Sequence, residues 1–273
     1  MCLLSGLTSA FAYPLMPKSA SEYVQDKSFA FEAEYDSRYD YQGIPVSSKM
    51  NHDGVFVFKG EMEMPLASSG WSQLLTAEYL AFCDGWLENT NGFNASWSAK
   101  KEIFPNLYFE GGYGLLYGGL PGSLSKWRGK APHSLAQVFN AGLKYEDSGR
   151  GLFANFDTQY GFYGLTGWRF GLEAGKRFAG VALNGRMDAV ASVMTYYSLG
   201  YWCGGVTGFD SFGFRFALPI RITGHDEKKG LQLEPFIQTI WAGNNASRVN
   251  RRMEAPIMDE FDLSVGVKLR YSF

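Results

Sequence analysis

Three histidines are the scarcest residues in the sequence that could carry acid–base or nucleophilic chemistry: His52, His133 and His225. A catalytic histidine needs a nucleophile or a carboxylate within hydrogen-bond reach. The one adjacent pair, His133-Ser134, would point to opposite faces of a strand. The sequence also lacks the Cys-x-x-Cys, His-Glu-x-x-His and calcium-loop patterns that bind metals. It therefore predicts no catalytic residues, no metal and no cofactor, with the histidines as solvated loop side chains.

Charged side chains are the more informative chemistry, because they recur at alternate positions between apolar residues. If the apolar face of each segment contacts lipid, the charged face points into a lumen, since a charge facing lipid at mid-membrane costs about 2–4 kcal/mol. The first segments then supply a mainly acidic wall and the later ones a mainly basic wall. The predicted acidic wall is Glu32, Glu34, Glu61, Glu63, Glu78, Glu102 and Glu110, and the predicted basic wall is Lys144, Arg169, Arg177, Arg186, Arg215 and Arg221. The two walls nearly cancel in charge.

The elements that position these residues are segments with a hydrophobic period of two, which is the signature of half-exposed β-strands. Most are longer than the five or six residues usual in soluble sheets and match the roughly 9–11 residues of a tilted spanning strand. Gln73 and Glu78 fall on opposite faces and predict a bulge, and Pro219 and Pro235 each remove a ladder hydrogen bond. The twelve predicted strands are 28–36, 54–66, 71–83, 91–104, 106–117, 134–146, 151–163, 167–178, 180–194, 211–223, 230–242 and 260–273.

The connections between these segments alternate in length. Short ones are predicted at 67–70, 105, 147–150, 179 and 224–229, and mostly long ones at 37–53, 84–90, 118–133, 195–210 and 243–259, with 164–166 as the exception. Outer-membrane barrels have short periplasmic turns, longer extracellular loops and an even number of strands. The sequence therefore predicts an all-β protein, a single transmembrane antiparallel barrel of about twelve strands with both ends periplasmic.

The composition is compatible with this fold and excludes others. Aromatic residues make up 16% and charged residues 19% of the chain, with 33 glycines and a mean hydropathy of −0.16. No stretch of 18 apolar residues exists, which excludes a helical membrane protein. The formal charge of −2 gives no reason to expect nucleic acid as a partner. Cys83 and Cys203 permit a disulfide in an oxidising compartment without requiring one.

The amino-terminal residues resemble a secretory signal. Leu3, Leu4 and Leu7 begin a short apolar stretch, and Ala10-Phe11-Ala12 fits the small-x-small cleavage pattern. A basic residue is missing before this stretch, which suggests that the true translation start lies upstream. We expect residues 1–12 to be a signal peptide, residues 13–27 a periplasmic segment and residues 28–273 the barrel.

The final strand resembles the carboxy-terminal signal of bacterial outer-membrane proteins. Leu269, Tyr271 and Phe273 alternate with polar residues and end on phenylalanine. The resemblance implies insertion into outer-membrane lipid by the barrel-assembly machinery. A second, shorter similarity joins Ser37, Tyr39, Tyr41, Gly43 and Ile44 to the Ser-x-Tyr-x-Phe-Arg-Gly-Ile/Val pattern of an uncharacterised family of outer-membrane barrels, although Gln42 replaces the arginine. It implies the fold and no activity.

Three functions remain open for a barrel of this size. We expect a passive channel for small hydrophilic solutes, because a lumen lined by opposed charges can hold water and orient dipoles. The alternative is a non-conducting structural or surface-interaction barrel with a loop surface of Trp127, Arg128, Lys130, Tyr201, Trp202, Arg248, Arg251 and Arg252. An outer-membrane enzyme is the remaining class, and neither the paired aspartates of omptin-like proteases nor the His and Ser of outer-membrane phospholipases stand out.

Overall fold

A computed structural model describes residues 28–38, 40–41, 44–45, 54–66, 69–83, 91–117, 135–202, 205–223, 229–253 and 259–273. These residues are almost entirely strands. They form β1 (Ser28–Asp36), β2 (Asp40–Tyr41), β3 (Ile44–Pro45), β4 (Val55–Leu66), β5 (Trp71–Phe82), β6 (Gly92–Phe104), β7 (Leu107–Tyr117), β8 (Leu135–Asp147), β9 (Leu152–Tyr163), β10 (Gly167–Ala182), β11 (Met187–Trp202), β12 (Val206–Ala217), β13 (Ile220–Arg221), β14 (Gly230–Ala242) and β15 (Phe261–Ser272), with one helix, α1 (Asn244–Met253), before β15.

The strands close into a twelve-stranded antiparallel barrel, which confirms the predicted fold class. β1 and β4–β15 follow one another around the wall, and β1 pairs with β15 to complete the circle. β12 and β13 share one position in the wall, because Leu218 and Pro219 interrupt the strand. Leu218 still donates its N–H to Pro235 O at 2.9 Å, so the predicted weakening at Pro219 is local. β2 and β3 form a separate small hairpin.

The outer surface of the barrel is an apolar belt. Phe31, Phe214 and Leu263 are 55%, 47% and 51% exposed, and their neighbours at alternate positions are similar. Such a continuous exposed apolar surface is far larger than soluble monomers tolerate. Aromatic rings pack side by side at the end opposite Ser28 and Phe273, as in Tyr160–Trp168, with centroids 4.8 Å apart. The belt and its aromatic edge are those of a membrane-spanning barrel.

The short connections lie at the end that holds Ser28 and Phe273, which we call the periplasmic end. They join β4 to β5, β6 to β7, β8 to β9, β10 to β11 and β13 to β14. At the opposite, extracellular end, long segments precede β4, β8 and β15. Among the described residues, no helix is long and apolar enough to cross a membrane.

Two predicted connections and one predicted bulge are wrong. β10 continues to Ala182 and turns at 183–186, so the predicted connection at Ala179 is an interior strand position. β11 continues to Trp202, because the residues at 195–202 alternate and pair with β12, where a long loop was predicted. The register of β5 is regular on both sides, so the predicted bulge near Gln73 is absent from it. Outward-facing Gln73 instead accepts a hydrogen bond from Trp97 Nε1 at 3.3 Å.

Several predictions fall outside the described residues. These are the signal peptide and amino-terminal segment at 1–27, the three histidines, Cys203, and Tyr39 and Gly43 of the first-hairpin similarity. Ser37 of that similarity is described: its backbone N–H donates to Val265 O at 3.0 Å, and its hydroxyl accepts from Val265 N at 3.0 Å. Ser37 thus extends the pairing of β1 with β15 at the extracellular end.

Candidate functional site: the charged lumen

Inward-facing charges form rows that run around the wall from strand to strand. In the first row, Glu32 of β1 lies opposite Arg270 of β15 on one side and Lys59 of β4 on the other. Lys59 in turn lies opposite Glu78 of β5. Arg270 contacts Glu32 and also reaches Glu61 across β1, with Nη2 and Oε2 3.2 Å apart. Opposite charges directly across a ladder stabilise the pairing of their strands.

The acidic side of this row is closely neutralised by its own neighbours. Lys59 Nζ lies 2.6 Å from Glu61 Oε1. Glu78 accepts a hydrogen bond from Asn94 Nδ2 at 2.7 Å. The cations are Lys59 of β4, which the sequence already placed among the acidic segments, and Arg270 of β15, which it placed in the last strand.

A second row joins β1, β15, β14 and β12. Glu34 lies opposite Lys268, which lies opposite Glu234. Glu234 Oε1 is 3.3 Å from Lys268 Nζ and 3.1 Å from Arg215 Nη2. This row again alternates in sign, so its charges hold one another at the wall.

The position of Arg215 depends on an inward phenylalanine that sequence reasoning missed. Its guanidinium carbon lies 4.1 Å from the ring centroid of Phe236. The Phe236 ring in turn covers Gly266 on β15, where an added Cβ would come within 2.2 Å of Cζ. Only glycine leaves room for this ring, which supports the guanidinium through a cation–π contact. The signal was available, since Phe236 has the same strand parity as Glu234.

A third cluster lies on β6–β8. Lys144 Nζ is 2.6 Å from Glu110 Oε2, and Ser98 donates its hydroxyl to Glu110 Oε1 at 2.7 Å. Lys100 lies over the ring of Tyr108, with Nζ 4.8 Å from the centroid. The predicted acidic and basic walls therefore meet here by direct contact between neighbouring strands.

At the periplasmic end, one buried carboxylate joins two arginines. Asp188 is 3% exposed and lies 3.7 Å from Arg177 Nε and 3.4 Å from Arg221 Nη2. The N–H of Gly180 also donates to Asp188 Oδ1 at 2.8 Å. A buried carboxylate needs such compensation, so Asp188 fixes both guanidinium groups.

The described ion pairs follow the wall instead of crossing the bore. Each joins residues on one strand or on adjacent strands, except that Arg270 reaches over β1 to Glu61. Glu63 on one side of the bore and Arg177 on the opposite side border a common open space. That space is a cavity of ≈ 940 Å³ at the periplasmic end, lined on one side by Glu61 and Glu63 and on the opposite side by Arg177.

The extracellular half of the bore is packed. Inward positions on many strands are nearly inaccessible there, whereas several charged ones around the periplasmic cavity are partly exposed, as with Arg270 at 39%. The difference means that the lumen narrows toward the cell exterior. The buried inward positions are Val55, Leu80, Ala136, Val138, Arg169, Ser198, Asp210, Ile240 and Ser264.

Helix α1 contributes to this packing. Asn245 Nδ2 donates to Asp210 Oδ1 at 2.8 Å and to Gly208 O at 2.9 Å. Asp210 also accepts a hydrogen bond from the hydroxyl of inward-facing Ser198. Ala246 and Val249 on the same helix face are 1% and 0% exposed. α1 is therefore fastened to the lumenal side of β12 at its extracellular end.

Two large polar side chains complete the packed half. Arg169 is 2% exposed, and its guanidinium carbon lies 4.1 Å from the ring centroid of Tyr196. Tyr201 is 0% exposed and donates its hydroxyl to Gln159 Oε1 at 2.9 Å. The prediction that Tyr201 forms part of an exposed loop surface is wrong, because β11 carries it inside the barrel end. Arg248 and Arg251 are exposed on α1, and Trp127, Arg128 and Lys130 lie outside the described residues.

The remaining predicted site residues are placed as follows. Glu32, Glu34, Glu61, Glu63, Glu78, Glu110, Lys144, Arg169, Arg177, Arg215 and Arg221 share the inward face. Glu102 has the same parity but is exposed beside the β6–β7 turn, where it accepts the N–H of Asn106 at 2.9 Å. Arg186 is not on a strand: it lies exposed in the β10–β11 turn. The prediction that Arg186 belongs to the basic wall is wrong, because the longer β10 places this residue in the turn.

No group of three or more His, Cys, Asp or Glu side chains that could hold a metal occurs among the described residues. The arrangement instead offers a charged, partly exposed inner surface. Such a surface can hold water and act on charged or dipolar solutes.

Comparisons with known proteins give a likeness of fold alone. No protein-family model and no curated protein matches the chain. Solved structures with a similar fold include the KdgM porin in complex with disordered oligogalacturonate, at 11% identity and TM-score 0.45, covering 90% of this chain and 99% of that one. The NanC porin has 8% identity and TM-score 0.48, covering 89% and 98%. An outer-membrane channel from Pseudomonas putida F1 has 8% identity and TM-score 0.48, covering 94% and 100%.

The cellular location follows from the molecule itself. A closed antiparallel barrel with an even number of strands, an apolar belt and short turns at the end that holds Ser28 and Phe273 is the architecture of the bacterial outer membrane. The chain is an outer-membrane β-barrel, as its sequence predicted.

Proposed function

We propose that this barrel is a passive channel for small hydrophilic solutes. The observation that carries the proposal is the charged cavity of ≈ 940 Å³ at the periplasmic end. Charged groups are costly to remove from water, so a cavity bordered by Glu63, Glu146 and Arg177 holds solvent. A barrel whose only task was structural could fill this space with apolar side chains, as the extracellular half does at Val55 and Val138.

The inward charges also indicate which solutes the channel favours. Acidic side chains outnumber basic ones on the described inward face. The acidic set is Glu32, Glu34, Asp36, Glu61, Glu63, Glu78, Glu102, Glu110, Glu146, Asp157, Glu173, Asp188, Asp210, Glu234 and Asp262, against Lys59, Lys100, Lys144, Arg169, Arg177, Arg215, Arg221, Lys268 and Arg270. We infer a preference for cationic and zwitterionic solutes over anionic ones.

Conductance across a planar bilayer tests this function directly. The purified full-length barrel should give stable, stepwise currents in potassium chloride, with a reversal potential in a salt gradient that reports cation preference. Silence at every salt concentration would contradict an open channel.

The contribution of Arg177 to ion preference provides a sharper test. A unit charge about 10 Å from a permeating ion in water contributes about 0.4 kcal/mol at low salt. Replacing Arg177 by Ser should therefore raise the entry of cations and lower that of anions about twofold each, or about fourfold in the permeability ratio. The reversal potential in a low-salt gradient measures this change.

Arg186 supplies the matched control for this test. It is the same residue type in the same hairpin, but it is exposed in the turn outside the cavity lining. Arg186→Ser should leave the reversal potential near the wild-type value. Equal shifts of the reversal potential in both variants would mean that the selectivity arises from charges around the periplasmic opening of the barrel and not from the cavity wall.

A second function has two observations in its favour. The packed extracellular half and the fastened helix α1 are what a non-conducting barrel with a functional outer surface requires. Exposed Arg248 and Arg251 would then belong to that surface. The conductance of variants without α1, argued in the Discussion, separates the two functions.

We also propose that the barrel-assembly machinery inserts the chain and reads Leu269, Tyr271 and Phe273. Leu269 and Tyr271 are outward-facing and 41% and 48% exposed, as contact with a partner during insertion requires.

A further inference from the structure

Lys176 is a cation on the lipid-facing surface of the barrel. It alternates with inward-facing Gly175 and Arg177 on β10 and lies opposite Leu152 and Ala191 on the neighbouring strands. Its side chain is exposed, and Nζ lies 5.1 Å from the ring centroid of outward-facing Phe178. Lys176 therefore points away from the lumen and has no part in the proposed channel.

The depth of Lys176 is that of the membrane edge. Leu152, directly opposite it, is the first residue of β9 and follows the β8–β9 turn. β10 continues beyond this level to Ala182, so the β10–β11 hairpin projects toward the periplasm. A charge on the lipid face is strongly unfavourable at the midplane of the membrane but is tolerated near the interface. Lys176 thus lies where a lysine can reach the phosphate level of the periplasmic leaflet.

A groove begins beside this lysine on the outer surface. It has a volume of ≈ 610 Å³ and crosses the wall from β9 to β14, with the small residues Ala174 of β10 and Ala191 of β11 at its floor. Larger apolar side chains on both sides form the walls: Leu152, Val193, Phe214, Phe216 and Ile237. The groove is apolar and open to the bilayer. Arg215 also borders it, but the Arg215 side chain lies on the lumenal face against Glu234, so Lys176 is the outward-facing cation among the lining residues.

We propose that this groove binds one anionic phospholipid of the periplasmic leaflet. An acyl chain would lie in the groove against Ala191, and the lipid phosphate would contact Lys176. The choice of occupant rests on charge complementarity and on the depth of the lysine, since a phosphate at the leaflet surface meets a cation located at that surface. A second copy of the chain would place the same lysine against another apolar belt and leave its charge without a partner.

The test uses the purified full-length barrel in a neutral detergent. Native mass spectrometry should detect one retained phosphatidylglycerol, and added phosphatidylglycerol should raise the thermal midpoint of the folded band more than phosphatidylcholine does. Lys176→Gln should lose most of the bound lipid and of the thermal shift, while Lys176→Arg should keep both. Ala191→Leu, which fills the floor of the groove, should lose the bound lipid without changing the charge.

Lys101 provides the control. It is also an outward-facing lysine beside an aromatic ring, with Nζ 5.5 Å from the centroid of Trp71, but it does not line this groove. Lys101→Gln should keep the lipid. Three results would overturn the proposal: equal lipid retention in Lys176→Gln, an equal thermal shift from inorganic phosphate alone, or an apolar dimer that forms in detergent and is lost in Ala191→Leu. None of these readouts depends on conductance, so the proposal of a lipid site and the proposal of a channel can be refuted independently of each other.

Discussion

Deleting Phe273 should reduce the folded, heat-modifiable barrel in cells to a small fraction of the wild-type level. Phe273 donates its N–H to Phe29 O at 3.0 Å and accepts from Phe29 N at 3.1 Å, which are the last hydrogen bonds of the β1–β15 seam. Its ring stacks on Phe29, with centroids 5.5 Å apart. The two hydrogen bonds contribute about 1 kcal/mol each and the stacked rings about 0.5–1.5 kcal/mol, at the one seam whose strands are far apart in sequence.

Substitutions of Phe273 separate its contribution to the pairing of β1 with β15 from its proposed role as an assembly signal. Phe273→Ala keeps the backbone bonds and removes the ring, whereas Phe273→Tyr keeps both. Leu263→Val, an exposed change on the same strand, is the control and should assemble normally. If the residue acts as a signal, Phe273→Ala should fail in cells but refold in detergent without the assembly machinery. Normal levels of folded barrel after the deletion of Phe273 would show that this residue is needed neither for the pairing of β1 with β15 nor as an assembly signal.

The sequence was sufficient for the fold because period-two alternation is set by the membrane itself. Lipid outside and water inside demand opposite polarity at successive positions, and this signal survives over every strand of the barrel. β1 and β14 were predicted at their observed bounds. Strand ends were predicted wrongly where the alternation of polar and apolar residues continued through residues typical of turns. Ala179 and Gly180 lie inside β10, and the segment after Thr195 extends β11 beyond its predicted end.

The candidate site was predictable only in part. Parity assigned Glu32, Lys144 and Arg215 to the inward face, but it carried no information about partners. Arg270 lies 238 positions from Glu32 along the chain and contacts it only because the barrel closes there. The burial of individual side chains could not be predicted from the sequence either. Asp210, in a predicted loop, is 0% exposed because α1 packs against it. No pattern in the sequence around Asp210 indicates that contact.

Removing helix α1 should produce the largest change in conductance that the structure predicts. A helix with its side chains is about 10 Å wide, and α1 lies against the lumenal side of β12 in the packed half of the bore. Replacing Asn244–Met253 by a flexible Gly/Ser linker should raise the single-channel conductance several-fold and increase its fluctuations. Asp210→Ala removes the acceptor that holds Asn245 and should change the conductance in the same direction with the helix still present. Single-channel recording in a planar bilayer measures both.

Arg251→Ser is the control for this experiment, because Arg251 is exposed on the same helix and its Nε donates to Ser247 O at 3.4 Å, one turn earlier within α1. It should leave the conductance near the wild-type value and thereby exclude a general effect of altering α1. Circular dichroism and heat-modifiable migration should show an intact barrel in every variant, since the wall does not depend on α1 for its hydrogen bonds. If the wild type and the variant without α1 are both silent, the bore is sealed by the wall's own side chains and the protein acts at its outer surface. If the wild type conducts and removing α1 changes nothing, the solute path avoids β12 and runs along the wall of β1 and β4–β7.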